Sequence, residues 1–211
     1  MKLDGDNLLN MSIQKVAKLF STILILCIAT ILNCQAAEEP RAISAELAPL
    51  LEKAYNELKE GKNSNAVKTL DKAIKLDEES ITTRRYSAYA LIMDNQPKNA
   101  LKQLDFIVKK IKKPTYFEWC TYGEAYLKAR AGEQARTCFE NALLIAPTST
   151  YVKSGLVRAK AITGNLDDAL ELAKEGMKVS KTNESYDYFK DLFNQVRLKQ
   201  ARTAKGDNSS Q

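Results

Sequence analysis

Apolar residues recur along this chain with the period of a helix, and small residues recur among them with a much longer one. Between Tyr116 and Ser149, Trp119, Tyr122 and Tyr126 fall at i, i+3 and i+7, one stripe of a helix. A second stripe follows, in which Ala135, Phe139 and Ala142 alternate small and large side chains. Pro147 closes it, because proline has no N–H and restrains the residue before it. The same Ala-x3-large-x2 signature occurs at Ala66–Leu70–Ala73 and Ala100–Leu104–Ile107, and again, with Ala173 in the large position, at Ala169–Ala173–Gly176. The leading alanines are 34, 35 and 34 residues apart. One such match is common by chance in an Ala-rich helix, whereas four in register are not. Each unit predicts a helical hairpin whose apolar face is buried only by stacking on its neighbours.

The turns agree with this reading. Gly61 and Gly164 fall between the two helices of their units, where a positive φ is cheap for glycine, and Asn95 takes the same place in the second unit. In the third, Arg130-Ala131-Gly132 shifts the glycine by two. The extra residue in the 35-residue interval falls in Ile111-Lys112-Lys113-Pro114, a turn between units. Ahead of Ala66 the stripe is Leu47, Leu51, Ala54, Tyr55 and Leu58, which reads about one residue late, so the first unit is expected to be the least faithful. After the fourth unit, Thr182-Asn183-Glu184 offers an N-cap to a last helix with Tyr186, Phe189, Leu192, Phe193 and Val196 on one face.

The residues Trp119, Tyr122, Gly123, Tyr126, Ala135, Phe139 and Pro147 spell W-x2-Y-G-x2-Y…A-x3-F…P. This resembles the tetratricopeptide repeat (TPR), whose pattern is W-x2-L-G-x2-Y…A-x3-F…P over about 34 residues. The resemblance implies an all-α chain, a right-handed superhelix of about four helix-turn-helix units. The units are placed at residues 47–80, 81–114, 116–149 and 150–181, with a capping helix at 182–203 and a disordered tail at 204–211. It also implies a concave groove, lined by the first helix of each unit, that holds a segment of a partner protein. By register, the groove residues are Leu51 and Tyr55; Arg85, Tyr89 and Ile92; Phe117, Cys120, Glu124 and Leu127; and Tyr151, Ser154 and Arg158. Such a lining suits a peptide with apolar anchors and an acidic group. Several of these residues have packing between helices as the competing role, Tyr55 and Phe117 among them. The Lys/Arg/Asn clamp of chaperone-binding members is not present, since Leu51, Tyr55, Tyr89, Cys120 and Glu124 stand in its places.

Composition narrows the chemistry. The chain has no histidine among 211 residues, which removes the commonest general base and the commonest metal ligand. No phosphate-binding glycine loop and no distinctive acidic pair occurs, so no catalytic residue, cofactor or metal is assigned. The net charge of +6 is dispersed among acids, with no dense basic run interleaved with aromatics, and a nucleic-acid partner is not expected. Arg197, Lys199, Arg202 and Lys205 are read as a solvated helix end, contact with anionic lipid being the alternative. Cys120 and Cys138 lie on the two helices of one unit and are expected to be buried thiols, a disulfide being the alternative.

The N-terminus reads separately. After ten residues that lack any periodicity, Met11 offers a second start. Lys15 and Lys18, an apolar run from Leu19 to Leu32, and Asn33-Cys34-Gln35-Ala36-Ala37 then follow. This is the layout of a signal peptide, cleaved after Ala36 and followed by a linker at 37–46. Residues 1–36 could otherwise be retained as an anchor, the run being short for a span. A third reading has Cys34 lipidated, although Asn33 departs from the usual small residue before it. The expected function is a non-catalytic protein-interaction module, exported (periplasmic or secreted) or membrane-tethered, an adaptor or assembly factor. The alternative is a membrane-anchored structural subunit of an envelope or secretion complex.

Overall fold

A computed structural model describes residues 46–204; the expected signal segment, Cys34, the linker up to residue 45 and the tail from 205 lie outside them. The chain divides into residues 1–48 and a compact unit from Pro49 to Gln211, which holds the repeat array. The described residues form α1 (Leu47–Lys59), α2 (Asn63–Leu76), α3 (Ile81–Met93), α4 (Pro97–Ile111), α5 (Tyr116–Lys128), α6 (Gly132–Ile145), α7 (Thr150–Thr163), α8 (Leu166–Val179) and α9 (Asn183–Ala204). They pair in sequence as antiparallel hairpins, α1/α2 to α7/α8, and stack as a TPR-like superhelix that α9 caps. Among the described residues no helix is long and apolar enough to cross a membrane.

Two kinds of helix start alternate. First helices begin at side-chain caps. Ser80 Oγ accepts from Thr83 N at 3.2 Å, Ser149 Oγ from Val152 N at 3.3 Å, and Thr182 Oγ1 from Ser185 N at 3.1 Å. Thr115 and Glu118 form a capping box at the start of α5. Second helices have no such side-chain cap and instead follow a Schellman turn. The bonds Lys62 N→Glu57 O, Gln96 N→Leu91 O, Ala131 N→Tyr126 O and Asn165 N→Lys160 O, at 2.7–3.0 Å, repeat one geometry. Its left-handed residue is Gly61 (φ 73°), Asn95 (φ 59°), Arg130 (φ 57°) and Gly164 (φ 87°) in turn.

Three sequence expectations change here. The left-handed residue of the third unit is Arg130, in register with the others, so the turn is not displaced to Gly132. Gly132 opens α6, where a Cβ would meet Thr163 and Ile162 side-chain carbons at 2.7 and 2.8 Å; it is small so that α6 and α7 can touch. The first unit is not shifted either. Ala54 is fully buried against Ala66, Leu70 and Ala90, and it lies 34 residues before Ala88, also fully buried. The capping face differs by one residue: Tyr186 is largely exposed, whereas Tyr188 packs with Phe189, Leu192 and Val196. Arg130→Gly is expected to raise stability by roughly 0.5–1 kcal/mol, because it removes a β-carbon from a left-handed position at some cost in unfolded-chain entropy. A lower urea midpoint for that variant would contradict the prediction.

The core is a relay of large side chains into small ones. Phe139 on α6 lies against Gly123 of α5 and Gly155 of α7, where an added Cβ would come within 2.6 and 2.5 Å of its ring. One unit later the volumes are exchanged. Ala173 stands in the place of Phe139, and α9 supplies Phe189, whose ring a Cβ on Gly176 would meet at 2.3 Å. The cap therefore closes the array with an aromatic residue of its own. Cys120 and Cys138 are both buried and are not joined by a disulfide. They belong to different clusters of the core, and burial pushes the Cys138 thiol up to about 12.

Candidate partner-binding groove

Successive first helices touch one another: α3 meets α5, α5 meets α7, and α7 meets α9. Side chains projecting between them form a continuous row. On α3, Arg85 and Tyr89 are four residues apart and share a face. Arg85 Nε donates to Glu118 Oε1 at 2.7 Å, and its guanidinium lies 5.8 Å from the Phe117 ring centroid. Tyr89 is close enough to Glu124 to feel its charge; burial, then that carboxylate, push its phenol up to about 12. Glu124 in turn accepts two hydrogen bonds from Arg158 Nη1, at 3.0 and 3.2 Å.

The row ends on the cap. The Tyr188 hydroxyl lies beside Ser154 and Arg158, and burial raises its phenol above the ordinary value. Tyr151, next to Glu124 and Arg158, is held well above its ordinary value by burial and stands edge-on to Phe139, with centroids 6.5 Å apart. Tyr55 lies at the other end, near Tyr86 and with Lys59 Nζ 5.7 Å over its ring. The phenols of Tyr89, Tyr151 and Tyr188 therefore stay protonated at neutral pH and act as hydrogen-bond donors or acceptors, not as anions.

The sequence-assigned residues separate into two layers. Arg85, Tyr89, Phe117 and Tyr151 are half-buried, as is Arg158, and they form the accessible row, with Glu124 buried beneath them as the partner of Arg158. Cys120 and Leu127 lie behind it in the cluster around Phe139, where they face the second helices, and Ile92 is likewise buried. The two arginines are each committed to a carboxylate from the adjacent unit. The four charges Arg85, Glu118, Glu124 and Arg158 cancel within the wall, and the lining is aromatic and hydroxylic with no net charge from this set. Tyr188 is the groove residue the repeat register does not reach, because α9 follows the fourth unit and lies outside the repeat. Its signal is a second aromatic directly before Phe189.

No protein-family model matches the sequence, and no curated protein matches it. Solved structures do. MamA (residues 41 to the end) from Desulfovibrio magneticus RS-1 superposes with a TM-score of 0.59 at 13% identity, over 80% of this chain and 100% of that one. Yeast Tom70 gives 0.58 at 19% identity, over 79% of this chain but 37% of its own. The nearly identical TPR-like repeats from Podosopora anserina give 0.56 at 18% identity, over 78% of this chain and 98% of that one. At these identities the likeness is one of fold, and the fold it shows is that of a TPR-like repeat protein.

Proposed function

We propose that the protein is a non-catalytic adaptor or assembly factor that holds a segment of a partner protein along the row from Tyr55 to Tyr188. The observation that carries this reading is the construction of that row. Half-exposed aromatic rings at Tyr89, Phe117 and Tyr188 are held in place by ion pairs that bridge adjacent units. Because both arginines are already neutralised, affinity comes from apolar and aromatic side chains of the partner, with hydrogen bonds to phenol hydroxyls. Export or membrane tethering of this module is part of the proposal and rests on Lys15, Lys18 and the run Leu19–Leu32.

The test is site-specific photo-crosslinking in the native host. A photo-reactive residue at 89, 117 or 188 is expected to capture one partner that the same probe at Lys68, exposed on α2, does not. Phe117→Ala is expected to weaken that partner's binding about tenfold or more, the usual cost of losing an interface aromatic. Equal capture from both faces would sink the groove assignment. In the same preparation the mature mass is expected to begin at Ala37, whereas lipid on Cys34 or retention of residues 11–36 would replace export with tethering.

A further inference from the structure

All second helices end at one edge of the array, and that edge carries an unpartnered pattern. The tips of α6 and α8 expose aliphatic side chains: Leu144 is 82% exposed, Ile145 52% and Val179 42%. Lysines flank them on both sides. Lys109, Lys112 and Lys113 surround the end of α4, and Lys178 and Lys181 the end of α8. All five are exposed, and none has an ion-pair partner among the described residues. The neighbouring Lys110 is engaged by Glu79. Lys112 is held in the left-handed conformation (φ 61°) at the end of α4, which fixes the direction of the lysine pair that it begins. The acids that reach the strip are paired, Glu79 with Lys110 and Glu175 with Lys153; Asp77 and Glu78 lie in the α2–α3 loop, and Glu184 follows at the start of α9.

We infer that this edge is a docking surface for an anionic lipid bilayer. The lysines meet headgroup phosphates while the Leu144–Ile145 tip enters the headgroup boundary. Charge complementarity points to an anionic partner, because five lysines without an ion-pair partner flank the aliphatic tips, while Glu79 and Glu175 among them are each taken up by a further lysine, Lys110 and Lys153. The protruding shape points to a bilayer over an acidic protein. Leu144 stands out from a helix end instead of lining a hollow, and a bilayer accepts an isolated apolar tip without a matching pocket. The surface is built on the ends of second helices, whereas the row Arg85–Tyr188 is built on first helices and the cap. The inference needs no N-terminal anchor and stands or falls separately from the groove.

Co-sedimentation of the full chain tests it, with vesicles of phosphatidylcholine alone and of phosphatidylcholine mixed with phosphatidylglycerol. Binding to the mixed vesicles is expected to exceed binding to the neutral ones, and raised salt is expected to abolish the excess. The triple variant Lys109→Glu/Lys112→Glu/Lys113→Glu should lower the excess about tenfold or more, and Leu144→Ser/Ile145→Ser should also lower it. Unchanged circular dichroism melting of both variants keeps folding out of the comparison. Binding through residues 19–32 would be the same for both vesicle types and untouched by either variant. Such a result, with no salt-sensitive excess, overturns the inference. So does a Leu144→Ser/Ile145→Ser variant that converts a dimer to a monomer and leaves vesicle binding unaltered, which would assign the tip to a second copy of the chain.

Discussion

Phe139→Ala is expected to lower the unfolding free energy by about 3–5 kcal/mol, the largest single-residue effect predicted for this chain. The ring is fully buried and is shared by three helices from two units: its own α6, α5 through Gly123, and α7 through Gly155. Truncation therefore leaves a cavity at the seam between units three and four. The two glycines supply an internal control. A Cβ on Gly155 would lie 2.5 Å from ring carbons, and a fully buried ring flanked on both sides cannot move away, so Gly155→Ala alone destabilises. Once the ring is gone the clash is gone, the methyl fills part of the cavity, and alanine is about 1 kcal/mol better than glycine inside a helix. Gly155→Ala should therefore change sign, stabilising the Phe139→Ala background. Urea denaturation of the four proteins in this cycle measures the coupling. Additive effects would mean that ring and glycine do not meet as described.

The repeat architecture was readable because packing constraints act at fixed spacing. Ala66, Ala100, Ala135 and Ala169 are small for the same reason in each unit, and each lies five residues after the left-handed residue of its turn. Where residue type and geometry disagree, the sequence misleads. Gly132 suggests a turn and instead serves a close helix contact, while Arg130 takes a conformation that its side chain disfavours. The groove was less legible than the fold. A register identifies which helix face looks inward, but not how deeply each residue lies, so Cys120 and Leu127 were counted with residues that are accessible. Nor does it reveal that Arg85 and Arg158 are already paired. Their partners are 33 and 34 residues away, on the first helix of the adjacent unit. The available signal is opposite charge one repeat apart on first helices, visible only after the repeat length is known.

The second large effect concerns the inner wall. Glu118 lies in the first turn of α5, where an acid is expected to be solvated and to complement the helix dipole. Here its side chain is wholly buried. One oxygen accepts from Arg85 of the preceding unit, and the other accepts from the Thr115 backbone N–H at 2.9 Å and from the Thr115 hydroxyl. The carboxylate thus couples the start of one unit to the wall of the one before. Arg85→Met strands that buried charge and is expected to cost about 3 kcal/mol. Glu118→Met removes the charge but leaves Arg85, itself partly exposed, beside an apolar group, and also loses the cap; a similar cost of about 3 kcal/mol is expected. The double variant is the discriminating one. Replacing both members with apolar side chains abolishes the stranded charge, so it should be more stable than either single variant. Its remaining deficit should be about 1 kcal/mol, the worth of the lost cap at Thr115. If instead the two losses add, the pair is not acting as a unit and the wall between Arg85 and Glu118 is held by something else. Because Arg85 also lies over Phe117, the same substitutions should loosen that ring. Partner capture from position 117 should then fall in both single variants before global unfolding does.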